Sequence, residues 1–77
     1  MAKFEVGKTY EASLADLSLI TIIKRTSKYC YVKNDNGNTW RMLIRENDGN
    51  EYMIDSSMPD KWRPAYTYNA KYLVKEN

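Results

Sequence analysis

Residues 20–45 read ITIIKRTSKYCYVKNDNGNTWRMLIR, and this stretch decides the fold. Isoleucine, valine, threonine and tyrosine dominate 20–23 and 29–32, and β-branched and aromatic side chains suit a pleated, half-buried surface. Thr26-Ser27-Lys28 leaves room only for a tight hairpin turn. Asn34-Asp35-Asn36-Gly37-Asn38 supplies residues that tolerate positive φ, so the chain reverses again and returns as Thr39 to Arg45. The stretch is therefore two hairpins sharing their middle strand. With Lys33 opposite Thr39, the register sets Val32 against Trp40, Tyr31 against Arg41 and Cys30 against Met42. Alternation then places Cys30, Val32, Trp40, Met42 and Ile44 on an apolar face, and Tyr29, Tyr31, Lys33, Thr39, Arg41 and Arg45 on a wet one. In the preceding strand the parity is open by one residue, so either Ile22 or Ile23 joins the apolar face.

Upstream, Phe4 and Val6 alternate with polar residues until Gly7 allows a bend into a short strand, Lys8 to Ala12, expected at a sheet edge. Ser13-Leu14-Ala15-Asp16 reads as a capped helical turn or as an extension of the next strand, Leu17 to Arg25. Downstream, Asn47-Asp48-Gly49-Asn50 signals a type I′ or bulged turn, and Glu51 to Asp55 returns with Tyr52 and Ile54 alternating against Glu51, Met53 and Asp55. Ser56 to Pro64 holds two prolines and reads as a loop, and Ala65 to Val74 closes the domain as a last strand or a single helical turn. Short strands at this spacing, separated by glycine and asparagine turns, predict an all-β fold: a five- to six-stranded SH3-like barrel or roll. An OB-like barrel is the second choice, because a helix between its third and fourth strands has no room between Arg45 and Glu51.

Seventy-seven residues make one domain, 1–77, near the lower size at which a single core holds without staples. A hydrophobic content of 43% against 29% charged is that of a globular chain rather than a disordered one. The single cysteine cannot form an internal disulfide, no charged-then-apolar leader opens the chain and no apolar run is long enough for a membrane span, so a cytoplasmic protein is expected. The net charge of +2 conceals an uneven distribution. Residues 17–45 hold six bases and one acid, residues 46–60 hold five acids and no base, and the segment from Lys61 is basic again. Such a dipolar surface orients a partner even at small net charge.

Enzymatic chemistry has little to stand on in these residues. Histidine is absent, and with it the commonest general acid or base at neutral pH. Cys30 is the one thiol, and its side of the strand faces Met42 in the sheet interior, so it reads as a structural cysteine. Glu46, Asp48, Glu51 and Asp55 surround a turn without the fixed ligand spacing of a Ca²⁺ loop, and read as a solvated acidic hairpin tip. The three glycines are isolated, so no phosphate-cradling loop exists. No cofactor or metal is expected.

Four short pieces, Val6-Gly7-Lys8-Thr9-Tyr10, Ile23-Lys24-Arg25-Thr26-Ser27-Lys28, Asp48-Gly49-Asn50-Glu51-Tyr52, and the closing segment with Pro64 and Ala70, resemble a set of short proteins of bacterial genomes and mobile elements. In these a GKxY opening, a KRT-small-K hairpin and a DGNEY return recur. The resemblance covers most of the chain up to Tyr52, whereas residues 56–63 depart from the pattern. That set carries no assigned activity, so the resemblance transfers no catalytic or binding residue.

The arrangement that points to function is aromatic and basic side chains interleaved on one sheet face. Tyr29, Tyr31, Lys33, Arg41 and Arg45 share that face, with Lys24, Arg25 and Lys28 at the adjoining hairpin turn. Rings beside guanidinium and ammonium groups hold single-stranded nucleic acid by stacking bases and neutralising phosphates. The competing reading is that Tyr31 and Arg41 pack across strands for stability alone. A second candidate surface is Trp62 with Tyr66 and Tyr68: Trp62 either plugs an open barrel end or lines a groove for a protein partner. The expectation is a non-enzymatic binding module for single-stranded nucleic acid or RNA, with a protein-interaction or self-association role as the alternative.

Overall fold

The computed structural model describes residues 2–12, 19–56 and 59–74. Its strands are β1 (Thr9–Ala12), β2 (Leu19–Arg25), β3 (Tyr29–Asn34), β4 (Thr39–Leu43), β5 (Arg45–Asn47), β6 (Asn50–Ile54) and β7 (Thr67–Val74), with a 3-10 turn at Asp60–Trp62 leading into the last. They form one antiparallel sheet in the order β4-β3-β2-β1-β7-β6-β5. Two meanders, β1 to β4 and β5 to β7, thus lie side by side along the β1–β7 ladder. The strands at the two ends of that order, β4 and β5, are consecutive in the chain and separated by Ile44 alone. One bent strand therefore reaches both ends of the sheet and curls it into a nearly closed barrel.

This is the small all-β barrel that the strand spacing predicts. The strands number seven rather than five or six, partly because the bend at Ile44 divides a single run in two. Strand β1 is interior, not an edge, because Ala65 to Val74 supplies a strand that covers its outer side. Ser13 to Asp16 and Leu17 lie outside the described residues.

The β3–β4 register is the predicted one at every pair, from Lys33 opposite Thr39 to Tyr29 opposite Leu43. Strand β2 settles its parity with a bulge. Ile22 lies opposite Val32 and is buried, Lys24 lies opposite Tyr31 and Arg25 opposite Cys30, so Ile23 is the extra residue. A bulge flips the alternation beyond it. Lys24 consequently points out with Tyr31, and Arg25 points in with Cys30.

Between β5 and β6, Asp48 (φ 53) and Gly49 (φ 81) both occupy the left-handed region, the type I′ geometry that asparagine, aspartate and glycine tolerate. In β6 the alternation is opposite to that suggested by Tyr52 and Ile54. Glu51 (7% exposed), Met53 and Asp55 (5%) face the interior, while Tyr52 and Ile54 are half-buried on the outer side. The acidic hairpin tip is accordingly not a wholly solvated cluster.

The carboxylate of Glu51 is accommodated because Arg25 arrives opposite it. Guanidinium Nη1 and Nη2 donate to Glu51 Oε1 and Oε2 at 2.8 and 3.0 Å, and Nη1 also donates to the Phe4 carbonyl at 2.7 Å. The Phe4 N–H donates to Glu51 Oε1 at 2.8 Å, and the Glu51 N–H to the Ala2 carbonyl at 2.9 Å. These bonds draw residues 2–5 onto the barrel, where the Phe4 ring, 1% exposed, meets Tyr10 edge to face at 4.8 Å. The buried core joins these two rings to Ile20, Ile22, Val32, Met53 and Tyr68.

Hydrogen bonds from the Arg25 guanidinium hold the Glu51 carboxyl below its ordinary value, the Phe4 N–H adding to them and burial opposing. A carboxyl whose pKa is depressed on folding stabilises above its unfolded value of about 4.3, and that contribution is lost as pH falls through the folded value. Glu51→Gln keeps an acceptor for Phe4 and removes the charge. The variant should lose about 2 kcal/mol at pH 7, and the deficit should shrink as pH falls below the unfolded value of about 4.3 and through the lower folded value. Urea unfolding across this acid range checks this, and a gap that does not change with pH would refute the role of the charge.

Candidate nucleic-acid interface

Strand β3 alternates tyrosine and lysine outward against cysteine and valine inward: Tyr29 and Tyr31 are half-buried, Lys33 is exposed, and Cys30 and Val32 are fully buried. Its neighbours complete the outer face. Tyr31 lies between Lys24 of β2 and Arg41 of β4, and Lys33 between Thr21 and Thr39. Lys24 Nζ sits 5.6 Å from the centroid of the Tyr31 ring. Arg41 reaches diagonally, its Cζ 4.4 Å from the centroid of Tyr29, which is directly opposite Leu43. Diagonal neighbours on one face are within reach of long side chains. Ile23 and Leu43, 46% and 43% exposed, leave apolar surface among these cations and rings.

Among the described residues the ion pairs are Arg25–Glu51 and Arg63–Asp60. None of Lys24, Lys28, Lys33 and Arg41 has a carboxylate at ion-pair distance among the described residues. Two of the predicted site residues stand elsewhere. Arg25 is turned inward by the Ile23 bulge and committed to Glu51. Arg45 lies past the bend, in the β5–β6 ladder opposite Tyr52 rather than beside Tyr29. What the structure brings together is Lys24, Tyr29, Tyr31, Lys33 and Arg41, with exposed Lys28 at the adjoining turn.

The aromatic cluster near the C-terminal end does not form one surface. Trp62 is 52% exposed beside Lys61, whose Nζ is 5.7 Å from its ring, and Tyr66 is half-buried. Tyr68 belongs to the core at 1% exposure, which corrects its assignment as a contact residue. Alternation explains it, since Tyr68 pairs with Ala12 and Met53 on the inner side of β7. Trp62 is not the barrel plug; among the described residues Phe4 is the aromatic side chain drawn over the barrel from outside the sheet.

A feature that sequence reading missed is a polar groove of about 240 Å³ on the outer side of the second meander, lined by Asn47, Asn50, Tyr52, Thr67, Asn69 and Lys71 with Asp48 at the turn. Its sequence signal was the alternation of β6, where an outward Tyr52 would have pointed to it. Among the described residues no group of three or more cysteine, aspartate and glutamate side chains could hold a metal ion, and no helix is long and apolar enough to cross a membrane. No family model, no curated protein and no solved structure matches the chain, so its function is argued from these surfaces alone.

Burial pushes the Cys30 thiol up to about 11, the nearby Arg25 charge offsetting only part of the effect. A thiol at that value holds almost no thiolate at pH 7 to 8. Native protein should therefore react with a thiol-specific disulfide reagent at least a hundredfold more slowly than protein unfolded in urea, and comparable rates would show the side chain to be accessible.

Proposed function

We propose that the chain is a non-enzymatic binding module that holds single-stranded nucleic acid or RNA on the outer face of β2, β3 and β4. The observation that carries this reading is the pair of half-exposed tyrosines, each with a cation over its ring, set among four cations that have no carboxylate partner among the described residues. Bases stack on rings and on guanidinium planes whatever their sequence, and ammonium groups at the margin neutralise phosphates. Lys24 and Arg41 belong to the stacking layer, while Lys28 and Lys33 meet the backbone. A single strand suits this face better than a duplex, whose sequence is commonly read by an element entering the major groove. The reading places the protein in the cytoplasm, where a lone buried thiol stays reduced.

Lys28→Glu with Lys33→Glu reverses two exposed charges and leaves both ring contacts intact. Wild type should bind a labelled mixed-sequence single strand in a salt-dependent way, followed by fluorescence anisotropy. The double variant should bind at least about tenfold more weakly at low salt, with a salt slope shallower by about 1.4, because each phosphate contact on a single strand contributes about 0.7. Binding by the variant at full strength would refute the proposed face.

A self-association role is the second reading, supported by the free side of β4. The Ile44 N–H donates to the Lys28 carbonyl and the Asn34 N–H to the Asn38 carbonyl, so Trp40 and Met42 share their backbone bonds with β3. Thr39, Arg41 and Leu43 then direct theirs away from it, where no described residue pairs with them in a ladder. An unpaired edge accepts a strand from another chain. Thr39→Pro removes one outward N–H without touching the β3 ladder. If β4 mediates assembly, sedimentation equilibrium should show a dimer that this variant weakens; a wild-type monomer at every concentration would dismiss self-association.

A further inference from the structure

The groove on the second meander holds both kinds of hydrogen-bonding group, with the Asp48 carboxylate and the Asn47 and Thr67 side chains beside donors on Asn50, Asn69 and Lys71. Asn50 Oδ1 accepts the Ala2 N–H at 2.9 Å, and Asn69 Oδ1 accepts the Lys71 N–H at 3.0 Å. A backbone N–H only donates, so both amides are fixed with oxygen toward the chain. Each keeps an NH₂ that has no partner among the described residues, on a residue that lines the groove. The Lys71 ammonium adds a third donor. Tyr52 lies opposite Asn69 on one side and Arg45 on the other, so an aromatic ring borders the amides. The donors of Asn50, Asn69 and Lys71, beside that ring, suit the carbonyl oxygen of a flat ligand. Its volume of about 240 Å³ is below the range of drug-sized pockets, roughly 300–1,000 Å³, and suits a single ring system.

The groove and the proposed interface border one strand run, β4–β5. Arg41, Leu43, Arg45 and Asn47 alternate along the same side of the β4–β5 run, past the inward Ile44. At about 3.3 Å per residue the path from Arg41 to Asn47 is roughly 20 Å. Arg45, displaced from the tyrosine face by the bend, lies along this path.

We propose that the groove receives one keto base, uracil or guanine, from a strand bound on the β2–β4 face, its carbonyl oxygen taking the Asn50 and Asn69 amide protons and its ring lying against Tyr52. Cytosine and adenine carry an amino donor where uracil and guanine carry that oxygen, and at that position would set donor against donor, the remaining carbonyl of cytosine lying beside its glycosidic bond. This inference rests on the nucleic-acid reading above and adds base selection to it.

The test compares labelled rU8 and rC8, which share charge and ring size and differ in the keto or amino group at position 4. Wild type should bind rU8 at least about fivefold more tightly. Asn50→Asp and Asn69→Asp each retain the acceptor that holds the backbone N–H and lose the NH₂. Both should bring the ratio to about one, whereas Lys28→Glu with Lys33→Glu should weaken both oligomers and leave the ratio alone. Equal binding of rU8 and rC8 by wild type, or a preference that survives both Asp variants, would overturn the groove while leaving the β2–β4 face standing. No binding of either oligomer at low salt would overturn both.

Discussion

Burying a charge in so small a barrel is tolerable only where a partner and further hydrogen bonds arrive with it, and the Arg25–Glu51 pair meets that condition. The two residues come from different meanders, and their meeting depends on a single inserted residue. Without the bulge at Ile23, strict alternation would turn Lys24 inward and Arg25 outward. A lysine ammonium is a point charge and cannot bond both carboxylate oxygens in a planar fork while also reaching the Phe4 carbonyl. The bulge thus selects arginine for the interior, and the guanidinium in turn holds residues 2–5 against the barrel. The same insertion sends Lys24 out over Tyr31, so one backbone irregularity provides both an internal clamp and part of the external face.

The bend at Ile44 acts on a larger scale. A sheet whose terminal strands were distant in sequence would present two open edges, which small proteins must cover or blunt. Here β4 and β5 are halves of one run, and the covalent chain joins what hydrogen bonds do not. The bend also redistributes the outer charges. Arg41 stays with the tyrosines while Arg45, four residues later, stands beside Tyr52, so the outer charges follow the strand around the barrel instead of forming one block.

Much of this was legible from residue types. The β3–β4 hairpin could be read pair by pair because the Asn34–Asn38 turn fixes the register and a two-residue period carries it onward. Tyr29, Tyr31, Lys33 and Arg41 were therefore identifiable as a shared face, whereas Lys24 could be placed only near it, because the parity of its strand was open. The misplaced residues have specific physical causes. A bulge leaves no compositional mark, so Arg25 was assigned to the wrong side. The β6 alternation was obscured because Tyr52 and Ile54 are more apolar than Glu51 and Asp55, and only the distant Arg25 makes an inward Glu51 acceptable. Tyr68 reads like Tyr66 in a tyrosine-rich segment until the ladders with β1 and β6 define which side of β7 is inside. Local periodicity shows what repeats within a strand, not what a distant strand will neutralise.

The joining of the meanders along β1 and β7 has a consequence for how the chain reaches this state. The other ladders connect strands adjacent in sequence, whereas β1–β7 brings Ala12 to Tyr68 and Thr9 to Val74. Closing a loop on the order of sixty residues costs roughly 3 to 4 kcal/mol in chain entropy, and the gain from burying Tyr10, Ala12, Tyr68 and Ala70 together comes only once it is closed. Neither meander can complete that core alone. The search for this non-local ladder, with the Arg25–Glu51 contact that accompanies it, sets the kinetic demand of the topology, and it ties the two halves into a single cooperative transition.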